Sequence, residues 1–342
     1  MRWVCAAILT VAAAVTVKTA GGVDIKVNEA ARRVDVTIDG QPFTSYIWPD
    51  TLKKPVLYPL RTAKGTVVTR GFPLDPRPGE RVDHPHHVGM WFNHGDVNNL
   101  DFWNNSDAIK AEDAPKMGTI LHRKVLEAKS GPDEGVLTVE TAWMTPASKQ
   151  ILKEVTRFVF RGGADARTID RTTTLTALDE KVVFEDSKEG VLGIRVRREL
   201  EQPADKAEVF TDAAGRPTPV AVLDNTGVTG KYVSSEGKEG DAVWSTRAKW
   251  TLLGGVVSGE PVTLAILDDP SNVGYPTHWH ARGYGLYAAN PLGDKQFNEP
   301  KEFNYTLDAG KSVTFKYRVL ILSAPPSAER IERESRAFAQ GS

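Results

Sequence analysis

The chain has 342 residues, and its 43 lysine and arginine residues nearly balance its 44 aspartate and glutamate residues, giving a formal net charge of −1. This balance excludes the basic footprint of a protein that binds nucleic acid or an anionic membrane surface, so we expect neither as a partner. The length permits one large β domain or two smaller ones. Because no flexible linker or low-complexity tract divides the chain, we predict a single domain over residues 21–342.

The first twenty residues have the pattern of an export signal. Arg2 gives a short basic start, and an apolar run from Val4 to Val17 follows that is too short to span a bilayer. We predict that residues 1–20 are removed on export to the periplasm or the extracellular space. Cys5 would be lost with them, so a hydrophobic core rather than disulfides must hold the mature chain, and no later apolar run predicts membrane insertion.

In chain order, the sequence then predicts a long series of strands. These segments alternate apolar and polar residues with a period of two, which is typical of strands with one buried face. They are Arg33–Ile38, Gly65–Arg70, Gly118–Ala128, Gly135–Trp143, Lys153–Phe160, Arg167–Leu178, Gly193–Leu200, Pro261–Leu267 and Lys311–Leu322. Good helix formers predict one short helix over Ser327–Phe338. We therefore expect an all-β fold, a large antiparallel sandwich with a short C-terminal helix.

Six of the seven histidines fall in two short windows. The first window, residues 83–94, contains His84, His86, His87 and His94, and the second window, residues 277–282, contains His278 and His280. In an extended backbone, residues two apart share a side, so each window presents one same-side pair. Imidazole suits either proton transfer or the coordination of a transition metal, and the sequence leaves both open. Any single histidine could instead be a neutral residue in a polar layer of the core.

Other side chains near the windows suit a sugar ligand. Trp91 and Trp279 are embedded among the histidines, where a flat apolar face could stack on a sugar ring, although core packing is the alternative. Arg282 ends the second window and could bind an oxygen-rich substrate. A charged turn contains Lys188 and Glu189, which would act as oxygen binder and general base only if the fold brings them to the histidines.

Several motifs resemble those of the bacterial family called methane-oxygenase PmoA-like. They are Tyr58–Gly65, Asp83–His87, Gly95–Asn98, Asp101–Trp103, Asp186–Arg195 and Pro276–Gly293. The resemblance covers nearly all of the predicted mature chain, with departures from the family pattern at Gly283 and Leu292. It implies a secreted protein, and we do not expect methane oxidation, because the subunit that the family name echoes is a membrane protein.

A more distant similarity is to the galactose-mutarotase-like β-supersandwich. The segment His86–Gly89 resembles the His-Gly-Gly segment of that fold, which would place His87 at a catalytic position. The late carboxylate of the mutarotase site has no obvious counterpart here, since Asn290 stands in the corresponding segment. Glu189 or another acid would have to replace it, which argues against simple aldose 1-epimerisation.

We therefore predict a carbohydrate-active enzyme that performs acid/base chemistry on a sugar or sugar derivative, as an epimerase, a lyase or hydratase, or a hydrolase. The candidate catalytic residues are His84, His86, His87 as the leading proton donor, Glu189 as the base, His278 and His280. The candidate substrate-binding residues are Arg61, Trp91, His94, Lys188, Trp279, Arg282 and Asn290. One alternative is a metal enzyme with Zn, Cu or Fe on His84, His86, His278 and His280. A second alternative is a noncatalytic glycan-binding module.

Overall fold

The computed structural model describes residues 22–341, so the predicted export signal lies outside the described residues. Its first ten strands are β1 (Val23–Asn28), β2 (Arg33–Ile38), β3 (Gln41–Ile47), β4 (Val56–Leu57), β5 (Met90–His94), β6 (Thr119–Lys129), β7 (Glu134–Met144), β8 (Gln150–Gly162), β9 (Ala166–Ala177) and β10 (Val182–Phe184). The next ten are β11 (Gly190–Arg195), β12 (Glu208–Thr211), β13 (Pro217–Val220), β14 (Lys231–Ser234), β15 (Trp250–Val257), β16 (Glu260–Asp268), β17 (His278–Ala281), β18 (Leu286–Asn290), β19 (Tyr305–Leu307) and β20 (Ser312–Leu322). One helix, α1 (Ala328–Gln340), follows them.

These strands form two large antiparallel sheets. Sheet A has the order β1-β2-β3-β4-β5-β11-β18-β17, and sheet B has the order β14-β15-β16-β20-β9-β8-β7-β6. The period-two alternation is complete in β9, where every second residue is buried. β10 pairs with β19 and β12 pairs with β13 in two small ribbons. The all-β sandwich with a short C-terminal helix is confirmed, and no helix in residues 22–341 could cross a membrane.

The inner faces of the two sheets share one hydrophobic core. Leu192, Ile194 and Tyr287 from sheet A belong to the same buried cluster as Phe315 and Tyr317 from sheet B. At about 1.5–3 kcal/mol for each fully buried large apolar side chain, this cluster supplies the main driving force for the sandwich.

A second apolar layer covers part of the outer face of sheet A. Trp91, Trp103, Leu286 and Ala288 are buried together there, beneath the segment that precedes β5. This layer positions the first histidine window on the outside of sheet A.

Two strand predictions differ from the structure. Gly65–Arg70 forms only single bridges, including Thr69 with Val196, because its backbone runs past the end of β11 and not along a full strand. The predicted strand Gly193–Leu200 begins at Gly190 and ends at Arg195, where a turn takes over.

Candidate functional site

Four neighbouring strands of sheet A carry the base of the site. The strand register aligns Trp91 on β5, Gly193 on β11, Ala288 on β18 and His280 on β17 in one row across the outer face. A Cβ at position 193 would lie 2.5 Å from the Trp91 ring, so only glycine lets the indole lie across β11. The two small residues at the centre of the row leave room between the tryptophan and the histidine.

The first window folds over this row as a loop. Arg70, which is almost fully buried, donates hydrogen bonds to the carbonyl oxygens of Asp83 (2.8 Å), His84 (2.9 Å) and His87 (3.1 Å). The His87 amide also donates to the His84 carbonyl, and His84 takes a φ of +40°. The loop is therefore not extended, although the predicted same-side pair of His84 and His86 assumes an extended backbone. The Arg70 contacts determine the side on which each histidine lies.

Asp83 is the electrostatic centre of the loop. Its carboxylate, 18% exposed, accepts hydrogen bonds from Arg70 and from Arg195 Nη2 (2.6 Å), and His84 Nδ1 lies 3.0 Å from its second oxygen. Burial alone would raise the pKa of Asp83, but the His84 hydrogen bond and the charges of Arg195 and Arg70 outweigh burial and hold this pKa well below its usual range. Asp83 is therefore an anion at neutral pH.

Four aromatic rings form a continuous stack that joins the two windows. The centroid distances are 5.2 Å from Tyr284 to His84, 4.9 Å from His84 to His87 and 5.1 Å from His87 to Trp91, with interplanar angles of 15° or less. Tyr284 follows the second window by two residues. We call this set the four-ring stack; it joins the first window to Tyr284, which lies just beyond the second window in the sequence.

His84 is the accessible histidine of the four-ring stack. Its side chain is 41% exposed, its two faces are covered by Tyr284 and His87, and its Nδ1 edge points to Asp83. Its Nε2 atom has no hydrogen-bond partner within residues 22–341 and faces the outside. A carboxylate on one ring nitrogen and solvent on the other is the arrangement of a general acid or base.

His87 has the opposite environment. It is only 1% exposed, with Trp103 Nε1 at 3.1 Å from its Nε2 and Arg195 Nη1 at 3.2 Å from its Nδ1. Tryptophan and arginine only donate hydrogen bonds, so a protonated His87 ring would have no acceptor on either side. Burial, reinforced by the positive charges nearby, lowers the pKa of His87 well below its usual value. The predicted role of His87 as the leading proton donor does not fit this site.

His86 packs edge-on against the rings of His84 (5.6 Å) and His87 (4.3 Å). The buried ammonium of Lys54 donates to the His86 carbonyl at 2.9 Å and lies 5.6 Å above the Trp91 ring. Burial lowers the pKa of Lys54 to about 7. Burial and the Lys54 charge in turn lower the pKa of His86, so His86 is neutral at neutral pH and supports the loop.

Glu189 also lies at the site. Asn104 donates to its carboxylate at 2.7 Å, and its charge interacts with those of Asp101 and His84. Burial raises the pKa of Glu189 despite the hydrogen bond from Asn104. A carboxyl group with a raised pKa is a candidate for proton transfer.

The second window contributes His280 and Arg282, and Lys188 of the charged turn lies beside His280. Burial, together with the charge of Arg282, lowers the pKa of His280 to about 3, and the backbone of Lys188 is a hydrogen-bond partner of its ring. Within the described residues neither the Arg282 guanidinium nor the Lys188 ammonium has an ion-pair partner. Arg282 lies 5.4 Å from the Trp244 ring and 5.9 Å from the Tyr284 ring. Arg282, Trp244 and Tyr284 line a cleft of about 510 Å³, the Arg282 cleft.

His278 does not join the first window. It stacks on Phe297 at 4.9 Å, and its Nε2 lies 3.6 Å from Asp294 and 3.7 Å from Glu299. Among residues 22–341 no group of three or more histidines, cysteines, aspartates and glutamates has a metal-holding arrangement. The predicted ligand set of His84, His86, His278 and His280 is therefore not assembled.

Four predicted substrate-binding residues have structural roles instead. Trp279 is fully buried between the sheets and donates to the Ala248 carbonyl at 3.0 Å, because the alternation that turns His278 and His280 outward turns Trp279 inward. The remaining three make other contacts: His94 packs on Phe184 and bonds the Glu185 carbonyl, Asn290 bonds Ser187 and Leu292, and the backbone of Arg61 pairs with that of Val67.

Sequence reasoning missed the residues that hold the loop. Asp83, Arg195, Lys54, Tyr284 and Arg70 are not among the site residues predicted from the sequence. Arg195 is the residue that the sequence could most easily have pointed to as part of the site. It ends an apolar strand and lies on the same face as Gly193, where the absence of a side chain leaves space. Arg70 and Lys54 are separated from the histidines along the chain and are brought to them only by the fold, whereas Asp83 adjoins His84 and Tyr284 follows His280 by four residues.

Together the fold and the site define an all-β sandwich with a buried ion-pair and histidine cluster on the outer face of one sheet. The chain belongs to DUF6807, a family of unknown function whose model matches residues 33–336. This comparison gives no support to the similarity to the PmoA-like family. No curated protein matches the chain in sequence.

Solved structures resemble the chain only in overall fold, which fits the predicted distant similarity to galactose-mutarotase-like proteins. The GH36 α-galactosidase AgaB from Geobacillus stearothermophilus has a TM-score of 0.40 and 10% identity, over 87% of this chain and 40% of that chain. A GalM/aldose epimerase homologue from C. elegans has a TM-score of 0.33 and 11% identity, over 90% and 100%. A galactose mutarotase-like protein from Clostridium acetobutylicum has a TM-score of 0.37 and 10% identity, over 87% and 98%.

The chain spans about two fifths of the length of the α-galactosidase that it matches. Because all three TM-scores lie below 0.5, none of these similarities assigns an activity or a substrate to the chain.

Proposed function

We propose that this chain is an exported carbohydrate-active enzyme. Its reaction would be acid/base chemistry at or near the hemiacetal or carbonyl carbon of a sugar or sugar derivative. The proton carrier would be His84, and Glu189 would be the second acid/base group. The observation that carries the proposal is the Asp83–His84 pair, in which a largely buried carboxylate contacts one imidazole nitrogen and the other nitrogen has no partner in residues 22–341. Tyr284, which stacks on His84, lines an open cleft.

The charge arrangement supports this role for His84. Asp83 accepts from two arginines as well as from His84, so its negative charge is held in place and the imidazole has a fixed orientation. A group that is oriented before the substrate arrives loses little freedom in the reaction, and a positioned acid or base contributes typically 10²–10⁴-fold to a rate.

The surroundings of His84 suit a sugar. The Arg282 cleft contains the rings of Trp244 and Tyr284 and the unpaired guanidinium of Arg282. Aromatic faces can cover the C–H groups of a sugar ring while charged and amide groups bond its hydroxyls. The cleft therefore has both kinds of surface beside the proposed proton carrier.

The proposal is tested by proton NMR of free sugars, uronic acids and their methyl glycosides in D₂O with and without the protein. We expect one class to show accelerated interconversion, elimination, hydrolysis or C–H exchange. His84→Gly should lower that rate at least about 100-fold, and added imidazole should restore part of it, since a diffusing base can replace the missing one. Glycine accepts the positive φ of residue 84 without strain.

Ser148→Gly is the matched control, because Ser148 is an exposed turn residue that also has a positive φ. It should leave the rate unchanged. Turnover that is as fast in His84→Gly as in the wild type would contradict the role of His84. Sugar binding without any turnover would identify a glycan-binding module instead.

A further inference from the structure

A second and larger cleft adjoins a small pocket against Pro85 and His86 of the first window. It has a volume of about 890 Å³ and runs between the segment that follows β3 and the first half of the edge strand β6. Its lining includes Trp48, Lys53, Asn105, His122 and Arg123. We call it the Trp48 cleft; none of the site residues predicted from the sequence lines it.

A stacked aromatic pair forms one wall of the Trp48 cleft. The rings of Trp48 and His122 are 4.0 Å apart at an interplanar angle of 28°, and both are half-buried. The Tyr46 hydroxyl lies 3.1 Å from His122 Nδ1, and His122 Nε2 has no hydrogen-bond partner in the described chain. Burial lowers the pKa of His122 to about 4, so at neutral pH this wall is uncharged.

The polar groups of the cleft are mostly paired. Arg32 is paired with Asp50, and Lys53 is paired with Asp107. Each pair offers hydrogen-bond donors and acceptors side by side with little net charge. Such a surface can bond the hydroxyl groups of a ligand, which both donate and accept hydrogen bonds.

The Trp48 cleft is continuous with the histidine loop. Lys54, Asn105 and Ser106 line both this cleft and a small pocket of about 10 Å³ against Pro85 and His86. The His86 ring in turn lies 5.6 Å from the His84 ring. A ligand in the large cleft therefore lies next to the segment that carries His86 and, beyond it, His84.

We propose that the Trp48 cleft binds additional sugar units of an oligosaccharide whose reacting unit lies at His84. This inference rests on the proposed function for the reacting unit, and it adds that the substrate is an oligosaccharide and not a monosaccharide. Trp48 and His122 would cover the apolar face of a sugar ring, and the paired charges of the rim would bond its hydroxyls.

Isothermal titration of the whole protein with β-1,4-glucan, α-1,4-glucan and β-1,4-N-acetylglucosamine series, each from the monosaccharide to the hexasaccharide, tests the inference. For one series we expect the affinity to rise at least tenfold between one and four units. Trp48→Ala should abolish this gain, and Asp107→Asn should reduce it about threefold without removing a core side chain. Leu126→Ala, at an exposed position of β6 outside the cleft, is the control and should keep the full gain.

Each outcome either supports or overturns the proposal that the Trp48 cleft binds additional sugar units. A length-dependent gain that is lost in Trp48→Ala and kept in Leu126→Ala supports the proposal. Affinity that is independent of length, or a gain unchanged by Trp48→Ala and Asp107→Asn, overturns it, even if His84-dependent turnover of a monosaccharide shows that the proposed function is correct. Binding of no sugar of any length also overturns it, and the turnover experiment then decides separately on the proposed function.

Discussion

The two histidine windows are held in place by different physical means. The first window is a loop, pinned by buried charge: Arg70 bonds three of its carbonyls, and Arg70 and Arg195 both pair with Asp83. The second window is strand β17, in which Trp279 enters the core while His278 and His280 turn outward. A loop held by ion pairs can expose a reactive imidazole, whereas histidines on a packed strand stay buried and neutral.

We expect the largest loss of stability from a substitution in the first window. Asp83→Ala removes the only carboxylate that pairs with both Arg70 and Arg195 in the described structure, so it should lower the free energy of unfolding by about 3–5 kcal/mol. Urea unfolding at pH 7 measures this loss. Glu329→Ala, which removes an exposed pair with Arg333 on helix α1, is the control and should cost about 0.5 kcal/mol or less.

The same variant has a pH signature. Because the folded-state pKa of Asp83 lies below its unfolded value, its contribution to stability is present above the unfolded pKa of about 3.9 and is lost as the pH falls through the folded pKa. The gap between wild type and Asp83→Ala should therefore be constant from pH 5 to pH 8 and should narrow below pH 4. A gap that widens on acidification would contradict the assignment of Asp83 as a paired anion.

A smaller effect is expected at the row of residues that joins the windows. Gly193→Ala places a methyl group 2.5 Å from the Trp91 ring, which must shift together with the four-ring stack. We expect a loss of about 1–3 kcal/mol in the free energy of unfolding, as for other overpacked sites, and a changed tryptophan fluorescence spectrum. Gly163→Ala, whose new methyl would meet only the Ala166 Cβ at 3.9 Å, should change neither measurement.

The strands could be predicted from the sequence better than the loop, because the faces of a strand depend on local alternation whereas the loop depends on contacts between residues distant in the chain. Alternation fixes which side of a strand a residue takes, so β9, β20 and the outward turn of His278 and His280 follow from the pattern. The same rule predicts that Trp279 lies inside the sandwich. The two histidines that flank Trp279 favour a place in the site instead, but its position in the alternation is the better guide.

The loop could not be predicted in this way. Its shape depends on Arg70 and Arg195, which are distant in sequence and meet at Asp83 only after the sheet has formed. The left-handed backbone of His84 then moves its ring away from the position that an extended chain implies. For these reasons the environment of His84 suits a proton carrier better than that of His87, which was predicted as the leading proton donor.

Asp83 fixes the His84 ring, so that the Nδ1 atom of His84 is hydrogen-bonded and its Nε2 atom is free within residues 22–341. Two-bond nitrogen–proton NMR of the ¹⁵N-labelled protein at pH 7 tests it directly, with Asp83→Asn as the comparison. We expect that Nδ1 of His84 carries the proton in the wild type. The preference for a proton on Nδ1 over Nε2 should weaken in Asp83→Asn, where the neutral amide is a poorer acceptor. A wild-type spectrum in which the proton resides on Nε2 and Nδ1 is bare would contradict it.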